Sequence, residues 1–202
     1  MLFKDLYAVE SVRVLIPFGE KSMKIVMKKG RILVPPPFGG KCIDVPDTDD
    51  ISEIIVSKGK KPDSGEVNNI KEVERVEGEK TIYVRLESQG IVLTDNEKKI
   101  EGRFESLLFE NEQGSISING KLLRGSFEIR LIEGKYKFIN EIDIEEYLRY
   151  TISKEMSPNW PIEALKAQTV LARTYVLKKK YQGKNCLYDI GSNTLDQVYD
   201  WF

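Results

Sequence analysis

Residues Asn140–Tyr175 run NEIDIEEYLRYTISKEMSPNWPIEALKAQTVLARTY, and a change of hydrophobic period inside this stretch decides the fold. Up to Ile142 the pattern is that of strands; beyond it, apolar residues recur at helical spacing. Asp143 is placed to cap a short helix through Thr151, with Glu145 and Glu146 in its first turn, where the helix dipole favours anions. Pro158 breaks the chain, and Pro161 suits the first position of a long helix, where a proline forfeits no intrahelical bond. That helix is predicted to run to Lys180 or Tyr181 and to stop at Gly183. Ala164, Leu165, Ala167, Val170, Leu171 and Ala172 give it a broad apolar surface, which predicts a buried helix packed closely through small residues. Glu155 falls in the predicted turn between the two helices.

Toward the N-terminus, from about residue 9, short β-branched runs alternate with turn residues: VRVLIP, MKIVMK, RILVPP, EIIVSK, TIYVRLE, GIVLT, SISI and SFEIRLIEGKYKFINEI. Lys29-Gly30, Asn119-Gly120 and Glu133-Gly134 are the expected hairpin turns, since glycine accepts positive φ at little cost. The segment from Pro46 to Glu79 is richer in Asp, Lys, Gly and Ser; it offers one strand, Ile51 to Ser57, and an expected flexible insertion around 58–67. The fold class is therefore α+β: a strand-rich antiparallel N-terminal part, residues 1–114, followed by a part that carries the short helix, turn and long helix.

Composition narrows the chemistry. The 202 residues include no histidine, which excludes Ser/His and Cys/His nucleophilic pairs, histidine-bearing zinc sites and the imidazole proton shuttle. Acid/base work then falls to carboxylates, lysines or tyrosines. With 31 basic and 32 acidic residues, the chain is not built to neutralise a nucleic-acid backbone, and no nucleic-acid partner is expected. No apolar run approaches the roughly 20 residues that a membrane span needs. Cys42 and Cys186 lie far apart and form no CxxC signature, and sequence leaves their pairing open. The N-terminus, MLFKDLYAVESVRVLIP, lacks a basic segment followed by an apolar one, so no targeting segment is recognised in the given chain.

Spacing singles out several side chains and leaves each with two readings. Glu155 is either an acid/base or a helix-end carboxylate satisfied by backbone N–H groups. As an acid it must be held protonated, for which Met156, Trp160 and Pro161 are the nearby desolvating groups. Lys166 and Arg173 are seven residues apart and so point within roughly 20° of each other on a helix, with Thr169 between them. They form either a cationic stripe facing Glu155 or an anionic, hydroxyl-rich substrate, or else a solvated edge with internal ion pairs. Trp160 is a sugar-stacking platform or a core plug under the turn. Asp189, Asp196, Gln197 and Tyr199, in YDIGSNTLDQVY, line a cleft or are ordinary loop polarity.

Taken whole, INGKLLRGSFEIRL, then FINEIDIEEYLRYTISKEMSPNWPIEALKAQTVLARTY, then YDIGSNTLDQVY resembles the SpoIID/LytB family, whose type members are stage II sporulation protein D and the amidase enhancer of bacterial walls. The shared pattern is N-E-[LI]-x-[LI]-E-x-Y-L followed by E-M-x-x-x-W-P-x-E-A-L-K-A-Q-x-V-x-A-R-T-Y. It covers roughly residues 115–202 closely and the strand-rich part loosely, which marks 115–202 as the N-terminal portion of a SpoIID-like catalytic core.

The resemblance implies a peptidoglycan lytic transglycosylase that cuts glycan strands, particularly those stripped of peptides, with the glutamate of the E-M motif, here Glu155, as its acid/base. It implies substrate positioning or charge support by Lys166 and Arg173, and places Tyr175, Gln197 and Tyr199 on motif positions. Peptidoglycan strands are the implied partner, the cell envelope outside the cytoplasmic membrane the implied location, and no cofactor is required. The amidase enhancer implies the alternative of a non-catalytic module that grips wall glycan and activates a separate cell-wall amidase. Two departures stand out. Some family members carry a zinc-holding Cys and His-Cys pair where this chain has Gly191, Leu195 and Asp196, so no metal is expected. Relatives also run beyond the Q-V-Y motif into a Cys- and Gly-rich signature, whereas this sequence stops at Phe202, so an incomplete cleft is expected, from a fragment or a truncated relative.

Overall fold

The computed structural model describes residues 10–38, 70–95, 98–112, 115–183, 186–193 and 196–199. Period-two alternation organises them. In β2 (Ser22–Val34), Met23, Ile25, Met27 and Ile32 enter the core, while Ser22, Lys24 and Lys28 face solvent. β2 pairs antiparallel with the longer β3 (Lys71–Glu87), which returns through Ser88-Gln89 into β4 (Gly90–Asp95) and β5 (Lys98–Phe104). β1 (Ser11–Leu15), β6 (Ser106–Asn111), β9 (Ser126–Ile132), β10 (Lys135–Asp143) and β11 (Ile190–Gly191) complete a sheet ordered β11-β1-β10-β9-β6-β2-β3-β4-β5. A further hairpin, β7 (Ser115–Ile118) and β8 (Lys121–Arg124), joins β2 through β7. All pairings are antiparallel except β1 with β11. Strands from both sides of residue 114 share this sheet and one apolar core, in which Phe18, Phe138, Phe127 and Phe109 form a chain of ring contacts.

Two expected turns form: Asn119-Gly120 (φ 51° and 83°) joins β7 to β8, and Glu133-Gly134 (φ 49° and 74°) joins β9 to β10. The third does not. Lys29-Gly30 lies inside β2 at a bulge, and Gly30 is there because a Cβ would sit 2.1 Å from the Glu110 carbonyl oxygen of the neighbouring strand β6. β3 also begins at Lys71, inside the segment expected to be irregular, because its Val76 alternates into the core behind a charged outer face. The strand expected at Ile51 to Ser57 and the insertion at 58–67 lie outside the described residues.

β10 leads without a loop into α1 (Ile144–Glu155), capped as expected by Asp143, whose Oδ1 accepts the N–H groups of Glu145 and Glu146 at 2.9 and 3.0 Å. α1 runs four residues past Thr151, so Glu155 is the last helical residue and not part of the turn. The stop comes from Pro158, which lacks the N–H that Lys154 O would accept and disfavours helical geometry at Ser157. α2 (Ile162–Gln182) ends at Gly183 as expected, with Pro161 at its N-cap. It is not the buried helix that its composition predicts: only Ala172 and Val176 are buried, and Val170 and Leu171 are 57% and 65% exposed. α1 covers β1 and β10, which leaves α2 one narrow line of contact along α1 and β11. No helix among the described residues is long and apolar enough to cross a membrane.

Candidate functional site

Glu155 ends α1 with its carboxylate exposed, in a groove of about 330 Å³ lined by Gln168, Leu171, Ala172, Tyr175, Asp196 and Gln197. Its Oε2 accepts a long hydrogen bond from Gln168 Nε2 at 3.3 Å, and its Oε1 one from Val198 N–H at 3.4 Å. Three elements therefore meet at the carboxylate: the end of α1, one face of α2 and the stretch after β11. The α2 face is Gln168–Ala172–Tyr175–Lys179, at i, i+4, i+7 and i+11.

The floor beneath is a buried polar assembly. Tyr147, on α1 and fully buried, donates its hydroxyl to Gln197 Oε1 at 2.9 Å. Burial pushes the Tyr147 phenol well above the usual tyrosine range, so it acts as a fixed donor. Tyr199 stacks on Tyr147 at 5.3 Å between ring centroids and donates to Asn140 Oδ1 at 2.7 Å. Asn140 in turn bonds the carbonyls of Arg124 and Ser126 at 2.8 and 2.9 Å. The stretch Gln197–Tyr199 is thus tied to both α1 and the sheet, and the Val198 N–H beside Glu155 is held between two anchors.

Asp196 ties the same stretch to α2. It accepts from Tyr175 OH at 2.9 Å, Lys179 Nζ at 3.3 Å and Gly191 N–H at 3.0 Å. Partial burial and the Asp196 carboxylate both raise the Tyr175 phenol's pKa. Burial opposes the Lys179 charge, but Tyr175 and Asp196 outweigh it and keep the ammonium more firmly protonated than usual. A side chain at Gly191 would collide with Asn193 at 2.4 Å, so glycine lets this loop close.

Of the residues singled out from sequence, Glu155, Tyr175 and Gln197 line the groove, and Tyr199 lies buried behind it. Lys166 and Arg173 turn away from Glu155. Each lies two positions from a groove residue, Gln168 or Tyr175, a rotation of roughly 200° on a helix. Lys166 pairs with Glu163 at 2.9 Å, and Arg173 makes a two-bond pair with Glu145 at 2.9 and 2.7 Å. Trp160 is 55% exposed and touches neither Glu155 nor the core. Met156 lines a separate cleft between the helices, with Leu148, Ile152, Pro158 and Leu165, so it does not enclose the Glu155 carboxylate.

Gln168, Tyr147, Asn140 and Lys179 went unnoticed as site residues. For Asn140, Tyr147 and Gln168 the usable signal is that each is a fixed position of the shared pattern, the N and Y of N-E-[LI]-x-[LI]-E-x-Y-L and the Q of E-A-L-K-A-Q; for Lys179 it is the helical phase with Tyr175. Among the described residues no group of three or more Asp, Glu, Cys or His side chains is placed to hold a metal ion. Gly191 and Asp196 bond each other, and Leu195 lies outside the described residues. Cys186 is not a free thiol; Cys42 lies outside the described residues.

Residues 132–201 match the model of a family described as SpoIID, stage II sporulation protein. An uncharacterized protein of Brachyspira hyodysenteriae (strain ATCC 49526 / WA1) is 38% identical over 97 residues, which make up 48% of this chain and 26% of the relative. The matched stretch thus spans about a quarter of that curated relative's length. No solved structure matches.

Proposed function

We propose, from the premise that residues 132–201 belong to the SpoIID family, that the chain acts on the bacterial cell wall as a peptidoglycan lytic transglycosylase with Glu155 as its acid and then its base. What supports this most is the state of the two carboxylates in the groove. Asp196 is engaged by three donors, whereas among the described residues Glu155 meets only two long contacts, and it is open to solvent. A hydrolase of the two-carboxylate kind needs a second free acid; a transglycosylase does not.

The reaction then balances on one group. The protonated Glu155 carboxyl gives its proton to the oxygen leaving from N-acetylmuramic acid, and the C1–O bond breaks. The sugar's own 6-hydroxyl attacks C1, and the Glu155 carboxylate takes that hydroxyl's proton. A 1,6-anhydro end forms, no water is consumed and the acid is restored. Gln168, Gln197 and Tyr175 line the same groove, which supports a role for them in meeting sugar hydroxyls. The substrate, peptide-stripped glycan, sets the site of action outside the cytoplasmic membrane.

Digestion of purified peptide-free strands, followed by mass spectrometry for 1,6-anhydromuramic ends, tests this. Glu155→Gln is expected to lower product by about 10²–10⁴-fold, the usual contribution of a positioned acid/base. Equal product from both proteins would remove Glu155 from the mechanism. Binding to sacculi without any cleavage, together with faster peptide release by an added amidase, would instead favour the activating module.

A further inference from the structure

At the other half of the sheet, β2, β3 and β4 present an outward groove of about 960 Å³ lined by Glu20, Ser22, Lys24, Tyr83, Arg85, Thr94 and Asn119 among others. The ladder fixes its plan. Lys24 stands opposite Tyr83 and Tyr83 opposite Thr94, in one row across three strands, and Ser22 stands opposite Arg85 in the next. Met23, Val84 and Leu93 alternate into the core and hold that row outward. One end is set by Asn119 in the β7–β8 turn, whose Oδ1 accepts the Lys24 N–H at 2.7 Å and whose Nδ2 donates to the Glu20 carboxylate.

The side chains here differ from several cations on neighbouring positions in what they do not touch. Lys29, Arg31, Arg75, Lys80 and Arg103, on the same strands or on β5, are each paired with a carboxylate. Lys24 and Arg85 are exposed and make no side-chain ion pair or hydrogen bond among the described residues, and Tyr83 presents a 47% exposed ring between them. The single carboxylate of the lining, Glu20, is engaged by Asn119. An aromatic face flanked by two unpaired cations and by the hydroxyls of Ser22 and Thr94 matches a sugar ring that carries an anionic group. A polyphosphate would use the cations and leave the ring idle; a neutral glycan would do the reverse.

We propose that this face is a second glycan-binding surface, on which Tyr83 stacks against a sugar ring while Lys24 and Arg85 engage the carboxylates that recur along a peptide-free glycan strand. The choice of polymer rests on the function proposed above; the surface itself does not. Two points of attachment on one polymer raise its effective concentration at the groove of Glu155.

The test is titration calorimetry of the whole chain carrying Glu155→Gln, so that ligand persists, with soluble peptide-free strands, neutral N-acetylglucosamine oligomers and poly(glycerol phosphate). Tyr83→Ala is expected to weaken strand binding about five- to tenfold, the yield of one aromatic stack. Lys24→Gln with Arg85→Gln should weaken it about tenfold and flatten its salt dependence. Both sets lie on the outer face and should leave the melting temperature unchanged. Strand affinity within twofold of the parent in both variants would overturn the proposal. So would poly(glycerol phosphate) binding as tightly as the strands and ignoring Tyr83→Ala, which would make this a phosphate site. Strands bound through Tyr83, with no anhydro ends released by the chain that keeps Glu155, would sink the transglycosylase reading and leave the surface standing.

Discussion

The two helices near the β1 and β11 edge are held in contrasting ways. α1 buries Ile144, Tyr147, Leu148 and Thr151 within twelve residues, and it issues directly from β10, so the sheet fixes its start. α2 buries Ala172 and Val176 within twenty-one residues and follows an exposed turn. Its attachments are polar: Gln168 to Glu155, Arg173 to Glu145, Tyr175 and Lys179 to Asp196, and Lys180 to the Ser11 carbonyl. Apolar burial is worth kilocalories per side chain, whereas an exposed ion pair contributes at most about 1 kcal/mol. Glu155 therefore stands on the firm wall of the groove and faces the adjustable one.

The sharpest way to break this contrast is to cut one large side chain from each helix. Tyr147→Ala should destabilise by about 3–5 kcal/mol, since it empties a fully buried site and also leaves Gln197 without its donor. Leu171→Ala, at a 65% exposed position, should stay within about 0.5 kcal/mol. Denaturant melts at constant m-value measure both. Similar losses in the two variants would mean that α2 is anchored as firmly as α1.

A smaller loss is expected from Tyr199→Phe. The ring stays stacked on Tyr147, but buried Asn140 Oδ1 loses the hydroxyl that donates to it at 2.7 Å, which costs about 1–3 kcal/mol. Because Tyr199 follows Val198 directly, the same variant should loosen the N–H beside Glu155. Faster hydrogen exchange at Val198 than at α1 amides would register that; unchanged exchange would show that Asn140 anchors the sheet alone.

These same elements show what was legible in the sequence. β1 and β2 are apparent because their core residues, such as Val12 and Val14 or Met23, Ile25 and Met27, alternate cleanly. β5, KKIEGRF, is not, because an edge strand keeps only Ile100 and Phe104 on the core side of a charged segment. Gly30 misleads because a glycine that admits a neighbouring carbonyl looks like one that makes a turn. The caps Asp143 and Gly183 are local signals and mark real helix ends, while the exposure of α2 depends on what lies across from it, which composition does not encode. At the site, the motif pointed to Glu155, but the cationic spacing of Lys166 and Arg173 drew attention to the side of α2 that faces away. Lys179 is readable only once Tyr175 fixes the helix phase.

The smallest expected effects come from titration, and they separate the two regions by sign. Asp189, next to β11, is largely buried and accepts the Arg13 N–H at 2.8 Å; burial raises its carboxyl above the usual aspartate range. The folded chain thus holds its proton longer than the unfolded one, so stability is lost as pH rises through the folded value. Asp189→Asn keeps an acceptor for Arg13 and should remove that loss, giving a modest gain at neutral pH. Glu145, on the bridge to α2, behaves oppositely. Arg173 holds its carboxyl below the usual glutamate range, so its contribution is present above the unfolded value and lost as pH falls through the folded one. The Glu145 side chain is 55% exposed, so screening limits the pair to about 0.2–1 kcal/mol. Arg173→Gln should therefore cost no more than that at pH 7 and nothing once the pH lies below the folded value, where both folded and unfolded carboxyls are protonated. Melting temperatures of the two variants across pH 3 to 7 should diverge from the parent at opposite signs near neutrality; a loss from Arg173→Gln that persists unchanged at low pH would make Arg173 a packing residue of α2 and weaken the case that polar bonds hold that wall.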